Sequence, residues 1–224
     1  MNTFDLILTQ AHILSGVLVL LAGLANIVMW PKGGRWHRLV GKVYVAGMAT
    51  IFFTSIVIIS LFRFNLFLHV IAIFSFYMCF SGYRVLKRKK LGQQNWTDYA
   101  AAVIAGLAGV GLTVLGIYGT IAHGANALYI LCIVFGLSTL NAVMADINSF
   151  RGKGMDDRMW WLYQHIQAML GSYIAAVTAF AVQNGDRFAP DFAHRWLFWV
   201  VPPVMGSTCI VFMVRYYRKK HSGA

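Results

Sequence analysis

The sequence predicts an all-α polytopic membrane helix bundle with seven transmembrane helices, an outside N-terminus and a cytoplasmic C-terminus. Three observations predict it. Of 224 residues, 59% are apolar and 12% charged, against about 25% charged in an average soluble domain. With a mean hydropathy of +0.65, such a chain cannot clothe a globule in solvated side chains, which excludes an ordinary soluble enzyme and a disordered protein. Seven stretches then reach the roughly 20 apolar residues needed to cross a bilayer. Finally, Lys and Arg concentrate in alternate connections between those stretches.

The first span, Leu6–Met29, has no Lys or Arg before it, so it is expected to be a retained helix and not a cleavable signal, which wants a basic leader. From His12 a helix-spaced row of Gly16, Val19, Gly23 and Asn26 is expected to face a neighbouring helix or a bound group closely. Pro31-Lys32-Gly33-Gly34 breaks the chain. The second span covers Leu39–Leu61, with Arg35, His37, Arg38 and Tyr44 at its opening. The third, Phe64–Leu86, carries His69 above Ile73, Phe76, Phe80 and Tyr83 and ends in the basic run Lys87–Lys90, expected to be a solvated, lipid-facing patch. The fourth, Tyr99–Ile121, contains Gly106, Gly109, Gly111, Gly116 and Gly119, small residues that let two backbones approach. After His123-Gly124-Ala125-Asn126 comes the fifth span, Ala127–Ile147, with Asn141 and Asp146 near its end. Arg151-Gly152-Lys153-Gly154 leads to the sixth, Met159–Val182, in which Gln164 and Gln167 flank His165. The seventh is Trp196–Tyr216. The whole chain reads as one integral-membrane domain. Cys79, Cys132 and Cys209 lie singly within apolar runs, a pattern of packed thiols and not of a disulfide framework.

Counting basic residues orients the bundle. Sixteen of the 19 Lys and Arg fall in the first, third and fifth connections and the tail; only Arg63, Arg187 and Arg195 fall on the other side. The sixteen therefore mark the cytoplasmic face. The acids are all Asp. Asp5, Asp186 and Asp191 balance the three outer cations, so the whole +12 excess faces the cytoplasm. That makes anionic lipid its expected partner; nucleic acid is not expected, because the excess tracks topology. Trp30, Trp36, Trp96, Trp160 and Trp161 at the inner ends, with Trp196 and Trp199 at the outer, are expected headgroup anchors.

The segment Lys32-Gly33-Gly34-Arg35-Trp36-His37-Arg38-Leu39-Val40-Gly41-Lys42-Val43-Tyr44 resembles the K-G-x-x-x-H-R-x-x-G-[RK]-x-Y signature of a family of uncharacterised bacterial multi-pass membrane proteins, a domain of unknown function. A second match runs from His165 to Phe180, and His12 followed by Gly16 adds to it. The resemblance implies a bacterial inner-membrane location and no particular activity.

Ionisable and polar residues inside spans are costly, which makes them functional candidates. His12 and His69 lie at similar depths from the outer face. Two facing helices carrying such histidines can ligate haem b or a metal ion, with a hydrogen-bond acceptor fixing each tautomer. His37 and His165 are candidates for an inner cofactor site. Around them Asn26, Arg38, Tyr44, Asn141, Asp146 and Gln167 form an expected polar pocket, with Asp146 neutralising Arg38 or Arg84 or orienting His37 or His165. Two functions from different classes follow. The first choice is a haem- or metal-associated redox protein using intramembrane histidines. The alternative is a non-enzymatic transporter, sensor or assembly factor with a cytoplasm-facing polar pocket. No H-E-x-x-H or G-x-S-x-G motif is present, which leaves zinc-hydrolase and serine-hydrolase chemistry without support.

Overall fold

The computed structural model describes residues 2–188, 193–194 and 196–222; Asp191 and Arg195, counted above on the outer side, lie outside them. The described residues form seven helices and no strand: α1 Thr3–Val28, α2 Arg35–Leu61, α3 Leu66–Arg84, α4 Trp96–His123, α5 Ala127–Phe150, α6 Trp160–Phe188 and α7 Leu197–Ser222. All but α3 are long and apolar enough to cross a membrane. The helix starts are written locally. Asn2, Asn65, Asn95 and Asn126 each precede a helix, and each side chain accepts a backbone N–H from the first turn, matching the orphan donors of a helix start. At Asn95 the cap is reciprocal, because Asp98 reaches back to the Asn95 N–H. Gly124, at φ +82°, ends α4 in a conformation that other residues resist.

The chain packs as two compact units. The first comprises residues 1–64 and 169–224, the second 65–168; α6 starts in the second and continues in the first. In the first unit α1 and α2 pack side by side. Val19 is fully buried, and a Cβ at Gly47 would lie 2.6 Å from it. A Cβ at Gly23 would meet the Tyr173 ring of α6 at 2.3 Å. The row from His12 thus faces its neighbours closely, except at Gly16, which has open space. Lys32 folds back to hydrogen-bond the Asn26 carbonyl at 2.7 Å, matching an acceptor left over at the α1 end. Partial burial lowers the pKa of its ammonium.

In the second unit α4 and α5 meet along a glycine seam. A Cβ at Gly136 would lie 2.2 Å from Thr113 Oγ1 and 2.8 Å from the Gly109 carbonyl, and one at Gly116 would lie 2.7 Å from the Tyr129 carbonyl. Backbone-to-backbone approach of this kind leaves no room for side chains. Tyr77 of α3 packs with Ala102, Ala105 and Val143 at the centre. Cys79 and Cys132 are buried, while Cys209 on α7 is exposed.

Candidate functional site

The most heavily bonded polar centre lies within the second unit, around Asp146. Its carboxylate sits near the end of α5 at 3% exposure, where an ionised group is tolerated only if paired and hydrogen-bonded. Oδ2 accepts the Tyr77 hydroxyl at 2.7 Å. Oδ1 accepts Ser81 at 2.9 Å, Gln164 and the Arg88 Nη2. Tyr77 and Ser81 are four residues apart on α3, so one helix face presents both hydroxyls. A short 3-10 turn over Val85–Lys87 follows α3, and Arg88 comes directly after it. Gln164 arrives from the second turn of α6.

Arg88 departs from the expected solvated basic run, because it is 2% exposed. Its Nη2 donates to Asp146 and, at 3.2 Å, to Ser81, and the guanidinium lies 4.7 Å over the Phe150 ring. A guanidinium carries five N–H donors; those on Nε and Nη1 meet no acceptor among the described residues. Leaving part of a buried guanidinium unmatched costs about 1–3 kcal/mol for the group. The neighbours of Arg88 take other routes. Lys87 lies over Tyr83 at 4.8 Å and Lys89 over Trp161 at 3.7 Å. The expected Asp146–Arg84 pairing is not formed. Arg84 instead grips Asp98 through Nε at 2.8 Å and Nη2 at 2.6 Å.

The predicted site residues distribute as follows. His165 donates Nδ1–H to the Gly82 carbonyl at 2.7 Å, within the same unit as Asp146. Asn141 and Gln167 are exposed on the chain's own surface; Gln164, three residues earlier, is the amide that reaches Asp146. In the other unit, Tyr44 is buried and bonds Ser172 at 2.8 Å. Asn26 spans an i, i+4 pair of α2 once its amide is oriented to suit both partners, donating to the His37 carbonyl at 3.0 Å and accepting from Gly41 N–H at 3.1 Å. Arg38 is exposed. Trp160, expected as a headgroup anchor, is 8% exposed.

Three of the predicted histidines have Nδ1 within hydrogen-bond reach of an oxygen. His12 Nδ1 lies 3.0 Å from Thr54 Oγ1. The Thr54 hydroxyl also lies 2.7 Å from the Thr50 carbonyl. His69 Nδ1 faces the Asn65 carbonyl at 2.9 Å, and a carbonyl can only accept. His69 and His165, each facing a carbonyl, are therefore Nδ1–H tautomers when neutral, which puts the lone pair on Nε2. His12 and His37 belong to the first unit, His69 and His165 to the second. Among the described residues no three His, Cys, Asp or Glu side chains gather as metal ligands would. No family model, curated protein or solved structure matches the chain.

Proposed function

We propose that the chain is a seven-span protein of the bacterial inner membrane, with its N-terminus outside, that works as a non-enzymatic transporter, sensor or assembly factor through the polar centre of its second unit. One observation carries this reading. Asp146 draws donors from α3, from the turn after it and from α6, and the Arg88 at its side still holds unmatched N–H groups. Intramembrane ionisable clusters of this kind are costly, and function is the usual reason for the cost. For the seventh span, α3 has 19 residues, about 28 Å at 1.5 Å per residue, close to the roughly 30 Å hydrocarbon core. The Lys/Arg asymmetry supports the orientation, and the basic face is matched to anionic lipid. The first-connection motif is the support for membership of the uncharacterised family it resembles.

The test is thermal unfolding of the detergent-purified chain against a panel of small carboxylates, amides and sugars. A stabilising compound should act on wild type and His12→Ala and lose its effect on Asp146→Asn. Stabilisation kept by Asp146→Asn and lost by His12→Ala would overturn the reading.

A second reading, haem- or metal-associated electron transfer, is favoured by the tautomers. A histidine whose Nδ1–H is held by an oxygen offers Nε2 to iron or another metal. His12 and His69, with His37 and His165, are its candidate ligands. An absorption spectrum and elemental analysis of protein expressed with haem supplementation decide it. A Soret band lost in His12→Ala supports this reading, and a colourless, metal-free preparation sinks it.

A further inference from the structure

We infer that the connection between α1 and α2 is a binding site for the phosphate of an anionic lipid headgroup. This goes beyond the Asp146 centre, lies in the other unit, and rests on the membrane reading only for the source of the phosphate. A cavity of about 210 Å³ opens there, lined by Met29, Trp30, Pro31, Arg35, Trp36 and His37. Trp30 and Trp36 leave 68% and 67% of their surface uncovered by the chain. An indole this exposed is at home at headgroup depth, where its apolar body meets lipid and its N–H meets phosphate or water. Val28 and Leu39, 72% and 50% exposed, extend the apolar surface on either side towards acyl chains.

The charge of the rim is one-sided. Arg35 is exposed, and the ion pairs among the described residues are Arg63–Asp5, Arg84–Asp98 and Arg88–Asp146, none of which uses it. Lys220 of α7 places its ammonium 5.7 Å from the centre of the Trp30 ring, which brings the basic end of α7 to the same rim. Neither residues 29–44 nor residues 215–224 contain an acid. A cavity flanked by a guanidinium, an ammonium and two indoles, with no acidic side chain in either contributing segment, is complementary to a tetrahedral oxyanion on an amphipathic carrier. Aromatic rings and apolar flanks favour the lipid-borne phosphate over a free ion.

The experiment is thermal unfolding of the detergent-purified full chain titrated with dioleoylphosphatidylglycerol, with dioleoylphosphatidylcholine, or with inorganic phosphate. Phosphatidylglycerol should raise Tm saturably while phosphatidylcholine does not. Arg35→Gln/Lys220→Gln should shift the half-saturating lipid concentration upward by about thirtyfold without changing Tm in lipid-free detergent. Lys153→Gln/Arg158→Gln, which removes the same charge from exposed positions in the connection between α5 and α6, should leave the response at wild-type strength. An equal loss in this control pair would mean diffuse surface charge and overturn the site. A full response to inorganic phosphate alone would overturn the lipid as its occupant. No response to phosphatidylglycerol would overturn both.

Discussion

Removing the cation from the Arg88–Asp146 pair exposes how the second unit is held together. In Arg88→Met the Asp146 carboxylate keeps Tyr77 at 2.7 Å, Ser81 at 2.9 Å and Gln164, but it loses its counter-ion at 3% exposure. Breaking one side of a buried pair costs about 3–5 kcal/mol. Losing the guanidinium contact with Phe150 adds about 1 kcal/mol. The unmatched Nε and Nη1 vanish with the side chain, which returns about 1–3 kcal/mol. The net expectation is a loss of about 1–5 kcal/mol. Asp146→Asn strands the opposite charge and should cost a similar amount. The double variant Asp146→Asn/Arg88→Met buries no charge. Its amide oxygen still accepts from Ser81 and Gln164, and the Tyr77 hydroxyl can turn to accept from the new NH2. It should be more stable than either single variant, with a coupling of at least about 2 kcal/mol. Equilibrium unfolding of the four proteins in mixed dodecyl maltoside and SDS micelles, followed by circular dichroism, measures the cycle. Additive losses would refute the reasoning, because they would mean that each side chain stabilises the unit independently of its ion-pair partner.

Three further outcomes are expected in the same unfolding assay. Gly136→Ala must push Thr113 and the Gly109 carbonyl away from a Cβ at 2.2 and 2.8 Å, a loss of about 1–3 kcal/mol. Gly111→Ala, with nothing within 4 Å, should be neutral or gain up to about 1 kcal/mol; equal effects at the two sites would contradict the seam. Tyr44→Phe removes the 2.8 Å bond to Ser172 in a buried setting and should cost about 1–2 kcal/mol, with no loss if that hydroxyl contributes nothing. Asp98→Ala removes both the α4 capping box and the Arg84 pair; it should cost about 2–4 kcal/mol, more than Asn95→Ala, which removes the cap but leaves the Arg84 pair in place.

The helices are legible in the sequence because span length and composition are local properties. The glycine seam is legible for the same reason: small residues on α4 have one common use in an apolar helix. The polar centre is legible only in part. Asp146 and His165 stand out as ionisable groups in apolar segments, but Arg88 is hidden in the run Lys87–Lys90, where four cations look alike. The short turn at Val85–Lys87 separates them, so that neighbours go to Tyr83, Asp146 and Trp161. Arg88 is 58 residues from Asp146 in sequence, and no local pattern encodes that pairing. Gln164 and Gln167 differ by less than one helical turn. Which of them faces inward is set by the rotation of α6, a tertiary quantity that an isolated pattern of two amides does not fix.

Among the described residues, Asp98 pairs with Arg84, Asp146 with Arg88, and Asp5 with Arg63. Arg84 and Arg88 are four residues apart, so the stretch that ends α3 is tied to the start of α4 through one pair and to the end of α5 through the other. Asp5, near the start of α1, is tied to Arg63 just beyond α2. Two of the pairs join elements that a short connection already links, whereas Arg88–Asp146 bridges the stretch after α3 to the end of α5 across the whole of α4; each uses up a carboxylate. Acids used inside cannot neutralise the surface. The +12 excess must then reside on the remaining cations, two of which, Arg35 and Lys220, share their rim with two exposed indoles. A chain with additional glutamates could have balanced that rim; this one contains none, so an external oxyanion is the complement its charge requires.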